Sequence, residues 1–237
     1  MVSVSIDDLP RGRVRAARGC GDRLRDEILD AATELLLATG HVRSVSIRAV
    51  AQRVGVTPPS IYLHFADKEA LMEAVCAHYF EKLDVEMQRI AAEHTCPVEA
   101  LRAQGLGYIR FATETPELYR IATMGEWRTG SNIDATLDSS AFKHLRATVQ
   151  KLMDDGIYLP DDPTAAALEF WAAAHGVAAM LIAKPHLPFG DAEAFADRVL
   201  CSVFCGRVVV GYCGPDATPR KSAAWVTVRR PSQESRI

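Results

Sequence analysis

The sequence predicts an all-α protein, with an N-terminal three-helix unit built around a helix-turn-helix and a larger helical domain behind it. Two observations carry this. Apolar residues recur every three or four positions in one segment after another, the spacing that gathers them on one face of a helix. Those segments open on Ser, Asp or Pro and close on or just before Gly or Pro, residues that cap and stop helices. The period-two alternation of a half-buried strand is not evident.

Residues 1–21 have no apolar periodicity and read as a flexible basic arm. Asp22 is placed to cap a first helix, on which Ile28, Ala31, Ala32 and Leu35 share a face and which Thr39-Gly40 stops. Ser46 caps a short second helix running to Val54, and Gly55 interrupts. Thr57 caps a third helix with Pro58 at its first position, where a missing N–H costs nothing. It ends near Phe65, and Asp67 opens a long fourth helix to about His94. Pro97 and Pro116 mark two further starts, and residues 124–140 read as loop. Phe142, Leu145, Val149 and Leu152 mark a helix closed by Asp155-Gly156. Asp162-Pro163 opens an apolar helix to residue 183, and Asp191 opens a last one to about Val210. The polar remainder, with a short apolar patch at Trp225–Val228, is expected to be disordered or weakly docked. The expected organisation is therefore an arm over 1–21, a helix-turn-helix domain over 22–68, a helical domain over 69–212 and a tail over 213–237.

Composition narrows the class. With 49% apolar and 24% charged residues among 237, the chain is ordinary for a globular protein. Neither a secretory signal nor a run of about 20 apolar residues is read from it, so a cytoplasmic location away from membranes is expected. Charge is unevenly spread. Residues 1–66 hold nine Arg against seven acidic residues, whereas residues 67–210 hold 13 basic and 21 acidic ones. Six of the arginines, Arg11, Arg13, Arg15, Arg18, Arg23 and Arg25, crowd the N-terminus. A basic end on an acidic body suits a protein that offers that end to a polyanion. The six cysteines include no CxxC pair and no Cys/His set with zinc spacing, so no metal site is expected.

The informative stretch runs from Ser46 to Leu71. It describes two short helices joined by a turn in which Gly55 can take a positive φ. Ala51 is small enough for the helices to approach, and Val50, Val54, Val56 and Ile61 form a shared apolar wedge. Thr57, Pro58, Pro59, Ser60, Tyr62 and His64 then face outward. Hydroxyls, a phenol and an imidazole at the start of a second helix are suited to base edges and phosphates in a major groove. Lys68 follows at the start of the next helix, where an ammonium can join a phosphate site.

This segment resembles the DNA-binding domain of the TetR (tetracycline-repressor-like) family of bacterial transcriptional regulators. The likeness rests on Ser46, Ala51, Gly55, Tyr62, His64, Phe65, Lys68 and Leu71, over roughly residues 25–72. Pro58 departs from it, standing where many relatives have a polar residue, which puts base readout there in doubt. The resemblance implies double-stranded DNA as a partner. It implies contacts from Ser46, Arg48, Thr57, Pro59, Ser60, Tyr62, His64 and Lys68, with Phe65 and Leu71 kept for the core. Further on, Trp171-Ala-Ala-Ala-His175-Gly176 resembles the Trp-x-x-x-His-Gly signature of one class of TetR-type C-terminal domains. By that resemblance the helices over 163–183 and 191–210 pair with their copies in a homodimer. The resemblance also implies a cavity for a small-molecule effector among the C-terminal helices. The wall nominated for it is Tyr108, Phe111, Met124, Trp127, Phe142, Leu145, Trp171 and His175, whose aromatic and Met character favours an apolar or aromatic ligand.

The expected function is thus a repressor released from a palindromic operator by such an effector. The alternatives are an effector-independent or activating regulator, or a helical interaction protein without ligand response. No G-x-S-x-G, P-loop, Rossmann or H-E-x-x-H string is present, so neither a catalytic residue nor a cofactor is expected.

Overall fold

The structure is a computed structural model that describes residues 20–124, 141–214 and 217–228. Within these bounds it is all-helical: α1 (Cys20–Thr39), a one-turn 3-10 helix (Val42–Ser44), α2 (Ile47–Val54), α3 (Pro58–Tyr62), α4 (Lys68–Ala92), α5 (Pro97–Glu114), α6 (Pro116–Met124), α7 (Ala141–Asp154), α8 (Pro163–Ala183), α9 (Ala192–Cys213) and α10 (Pro219–Val228). Contacts divide the chain into two compact units, Met1–Val75 and Cys76–Ile237, with the division falling inside α4.

The first unit is held by the elements the capping residues predict. Ser46 accepts from the Ala49 N–H at 3.1 Å, which satisfies an orphan donor at the start of α2. Gly55 closes the helix at φ 78°, ψ 34°. Its N–H and that of Val56 both reach the Ala51 carbonyl, at 3.0 and 2.9 Å, and so use up a carbonyl the helix end would leave bare. Asp67 caps α4 through the Ala70 N–H at 2.7 Å. Ile28, Leu36, Val45, Val50, Ile61 and Leu71 are buried without exposure, and Phe65 is nearly so. Val54 and Val56, expected in this wedge, are only half-buried. The first helix differs at its start, since it already runs from Cys20 and places Asp22 within the helix. Space around Gly55 is open, with nothing within 4 Å of a Cβ added there. A Gly55→Ala variant is therefore expected to lose about 1–2 kcal/mol to left-handed backbone strain alone. Denaturant unfolding measures it.

In the second unit, α8 sits against α5, α7 and α9, and α5 against α7 and α9. Asp162 and Asp191 cap α8 and α9 by accepting from the Thr164 and Ala194 N–H groups, each at 2.8 Å. Ala166, Ala167, Ala174 and Ala178 are buried, small residues that let helices close on α8 from its inner side. By length and apolarity α8 matches a membrane span, although only a third of its apolar window is buried here. A search for unbroken apolar runs passes over it, because Glu169 and His175 interrupt the run.

Residues 219–228, expected from their polar composition to be disordered or weakly docked, form α10. Thr218 accepts from the Lys221 N–H at 3.2 Å, and Trp225 stacks on Tyr212 of α9 with ring centres 6.4 Å apart. The start is thus marked by a Thr-Pro pair, and one aromatic contact helps fix the helix to its neighbour.

Candidate functional site

Two groups of residues stand out, one in each unit. In the first, Ser46, Arg48, Thr57 and Pro59 are exposed, while Ser60, His64 and Lys68 are half-buried. Tyr62 is 53% exposed. They lie on α2, on α3 and at the start of α4, and so belong to contiguous elements of one unit. The start of α3 has an unusual donor pattern. Prolines occupy its first two positions, which removes two N–H groups. The Ser60 N–H is taken by the Thr57 carbonyl at 2.9 Å. Thr57 does not cap the helix with its side chain. Instead its Oγ1 pairs with Ser60 Oγ at 3.1 Å. This end therefore presents linked hydroxyls rather than backbone amides.

Lys68 is more constrained than its charge alone suggests. Its Nζ donates to the Val42 carbonyl at 2.7 Å, which anchors the segment before α2 and leaves two ammonium protons for another acceptor. Leu63 is a residue the sequence reading missed. It is 84% exposed, between the buried Ile61 and Phe65. Helical period assigns 61 and 65 inward and leaves 63 outward, a signal that was present in the spacing.

The second group gathers around His175 on α8. Tyr108 of α5 and Tyr119 of α6 place their hydroxyls 3.1 and 2.9 Å from its Nδ1. A neutral imidazole nitrogen offers one acceptor lone pair. Tyr119 has a second acceptor in the His175 backbone carbonyl at 3.2 Å. The assignment that satisfies both hydroxyls has Tyr108 donating to Nδ1 and Tyr119 to that carbonyl. Trp171, one turn earlier on α8, lies with its ring centre 5.3 Å from the His175 ring. Tyr79 of α4 packs on Phe111 of α5 with centres 4.9 Å apart. Burial pushes the Tyr108 hydroxyl well above its ordinary range and holds the His175 ring below its ordinary value, so both are neutral here.

Of the nominated wall, Tyr108, Phe111, Trp171 and His175 are thus brought into one aromatic cluster. Phe142 and Leu145 are half-buried on α7. Trp127 lies outside the described residues, as does the side chain of Met124. Tyr79 and Tyr119 belong to the cluster but carry no local sequence signal, since only the fold brings them to α5 and α8. Two open grooves lie elsewhere: one of about 550 Å³ between α9 and α10, flanked by Val209 and Val226, and one of about 360 Å³ flanked by Ile109 and Phe189. Neither is lined by the nominated residues.

Comparison with known proteins follows the same division. Residues 28–75 match the family model described as bacterial regulatory proteins, tetR family. Residues 101–203 match the model described as the tetracyclin repressor-like, C-terminal domain. The chain belongs to the TetR family. Among curated relatives, a nucleoid occlusion factor SlmA from Vibrio vulnificus is 30% identical over 97 residues, which is 41% of this chain and 50% of that protein. The HTH-type transcriptional regulator EthR of Mycobacterium tuberculosis is 34% identical over 89 residues, covering 38% and 40%. The chain spans about half the length, or less, of these curated relatives. Among solved structures, a protein of unknown function from Rhodococcus sp. RHA1 superposes with a TM-score of 0.69 at 21% identity, covering 84% of this chain and all of the other. That likeness shows a shared fold. TetR-family members are regulators rather than enzymes, and the helix-turn-helix sits where the N-terminal family model matches.

Proposed function

We propose that this TetR-family chain is a homodimeric repressor that binds a palindromic operator and releases it when a small apolar or aromatic effector occupies the second unit. The observation that carries the DNA-binding half is the outward surface of α2 and α3. Ser46, Arg48 and Tyr62 are exposed beside the linked Thr57 and Ser60 hydroxyls. Tyr62, His64, Lys68, Ser46 and Arg48 are suited to phosphate, and Ser60 with Thr57 to base edges. Leu63 adds an apolar surface that fits a thymine methyl group. Pro59, with no N–H, contributes shape.

A second copy of the chain is supported by α8. Leu168, Ala172 and Met180 are exposed, Gly176 has open space beyond it, and the four succeed one another at four-residue steps. An apolar stripe of this kind is costly to leave in water. The effector half rests on the aromatic cluster around His175 in the second unit. We assign DNA binding to residues 22–68 and ligand binding with dimerisation to residues 69–212, in a cytoplasmic protein.

The direct test is selection of genomic DNA fragments by the purified protein, followed by gel shifts on the recovered site. Lys68→Ala is expected to weaken binding to all sequences alike. It should also reduce the slope of log affinity against log salt by about 1. Because Lys68 also holds the Val42 carbonyl, unfolding of the same variant is measured alongside. An unchanged slope in a folded variant removes Lys68 from the interface.

A further inference from the structure

The face of α5 that carries Tyr108 also carries Gln104, one turn earlier. Leu101, Gln104, Tyr108 and Phe111 succeed one another at three- and four-residue steps, so they share one side of the helix. Gln104 is 2% exposed. Among the described residues neither its Oε1 nor its Nε2 has a hydrogen-bond partner. A carboxamide brings two N–H donors and a carbonyl acceptor. Burying it unpaired is unfavourable, and natural interiors rarely do so without cause.

Packing gives no reason for an amide at this position. Glycines flank this turn of α5. A Cβ at Gly105 would come within 2.7 Å of Leu200 Cδ1 and 2.9 Å of Phe170 Cε1, and one at Gly107 would collide with Ile90. Helices α8 and α9 thus approach α5 closely on one side and α4 on another at this part of the helix. An apolar side chain would fill such a space without the polar cost. Other polar groups of this region are already engaged. The Tyr108 hydroxyl meets His175, and the Tyr119 hydroxyl meets His175. Among the described residues, the Gln104 amide is left with neither its donor nor its acceptor paired.

We propose that Gln104 is the polar anchor for the effector. Its amide would pair with a ligand group that sets a donor and an acceptor side by side, such as a primary amide, a lactam or a protonated carboxylic acid. The ligand's apolar body would lie along the aromatic side chains of the same face. This rests on the reading of the aromatic cluster as part of an effector pocket.

The test uses the full chain and matched probe pairs: benzamide against methyl benzoate, and octanamide against methyl octanoate. Each ester keeps the carbonyl acceptor and loses the donor. Gln104→Met is compared with wild type, and Gln104→Leu is run beside it so that one poor fit does not decide the outcome. Without ligand, at least one variant is expected to melt about 2–6 °C above wild type, because an orphan amide has been replaced by an apolar group. Wild type is expected to bind the amide of at least one pair about tenfold more tightly than its ester. The variants should lose that preference and keep ester binding. Lower melting in both variants shows that the amide has a structural partner and overturns the proposal. Equal affinity of wild type for amides and esters overturns it too, while leaving the pocket reading intact. If no probe of either kind binds wild type, the anchor and the pocket reading fall together.

Discussion

A His175→Leu variant is expected to unfold with about 1–3 kcal/mol less free energy than wild type, because it strips a buried hydroxyl of its acceptor. Tyr108 donates to His175 Nδ1, whereas Tyr119 also finds the His175 carbonyl. That carbonyl survives in the leucine variant, so the cost falls on Tyr108. Tyr108→Phe removes the stranded donor. The double variant Tyr108→Phe/His175→Leu should therefore be more stable than the two single losses added together. The same ring carries a pH signature. Burial lowers the His175 pKa from its ordinary 6.5, so below that pH the unfolded chain takes up a proton that the folded chain refuses. Stability from the neutral ring is thus complete above about pH 6.5 and declines as pH falls below it. The gap between wild type and His175→Leu should narrow in that window. Urea unfolding of both proteins from pH 5 to 8 reads this directly, and a gap independent of pH would show that burial does not hold the His175 pKa down in the folded chain.

What was legible in the sequence was what local chemistry determines. Ser46, Gly55 and Asp67 set the ends of α2 and the start of α4 through contacts within three or four residues. Trp171 and His175 could be placed together because four residues on a helix bring side chains to one face. The misses have a common cause. Tyr79, Gln104 and Tyr119 matter through where α4, α5 and α6 bring them, and nothing beside them in the chain marks that. α10 was missed because its hold on α9 includes a tertiary aromatic contact, Trp225 on Tyr212, while its composition is that of a solvated tail. Leu63 was legible and passed over, since attention to polar groups at a nucleic-acid surface hides an exposed leucine.

The largest effect is expected from Gly176→Leu. Within one chain the substitution is harmless, since nothing lies within 4 Å of a Cβ at that position and leucine is a better helix former than glycine. Against a second copy it is not. Gly176 stands between the exposed Ala172 and Met180 on the apolar stripe of α8. If that stripe meets its own copy, the added side chain enters an interface built for close approach, at about 1–3 kcal/mol per site. Two-fold symmetry doubles the penalty, so the dimer dissociation constant should rise by roughly 30-fold or more. DNA affinity should fall with it, because a palindrome rewards two reading heads held together. Sedimentation and gel shifts on one preparation separate the outcomes. A folded monomer with weak operator binding places Gly176 in the interface. A variant that remains dimeric and binds its operator normally puts the interface on another face of the second unit.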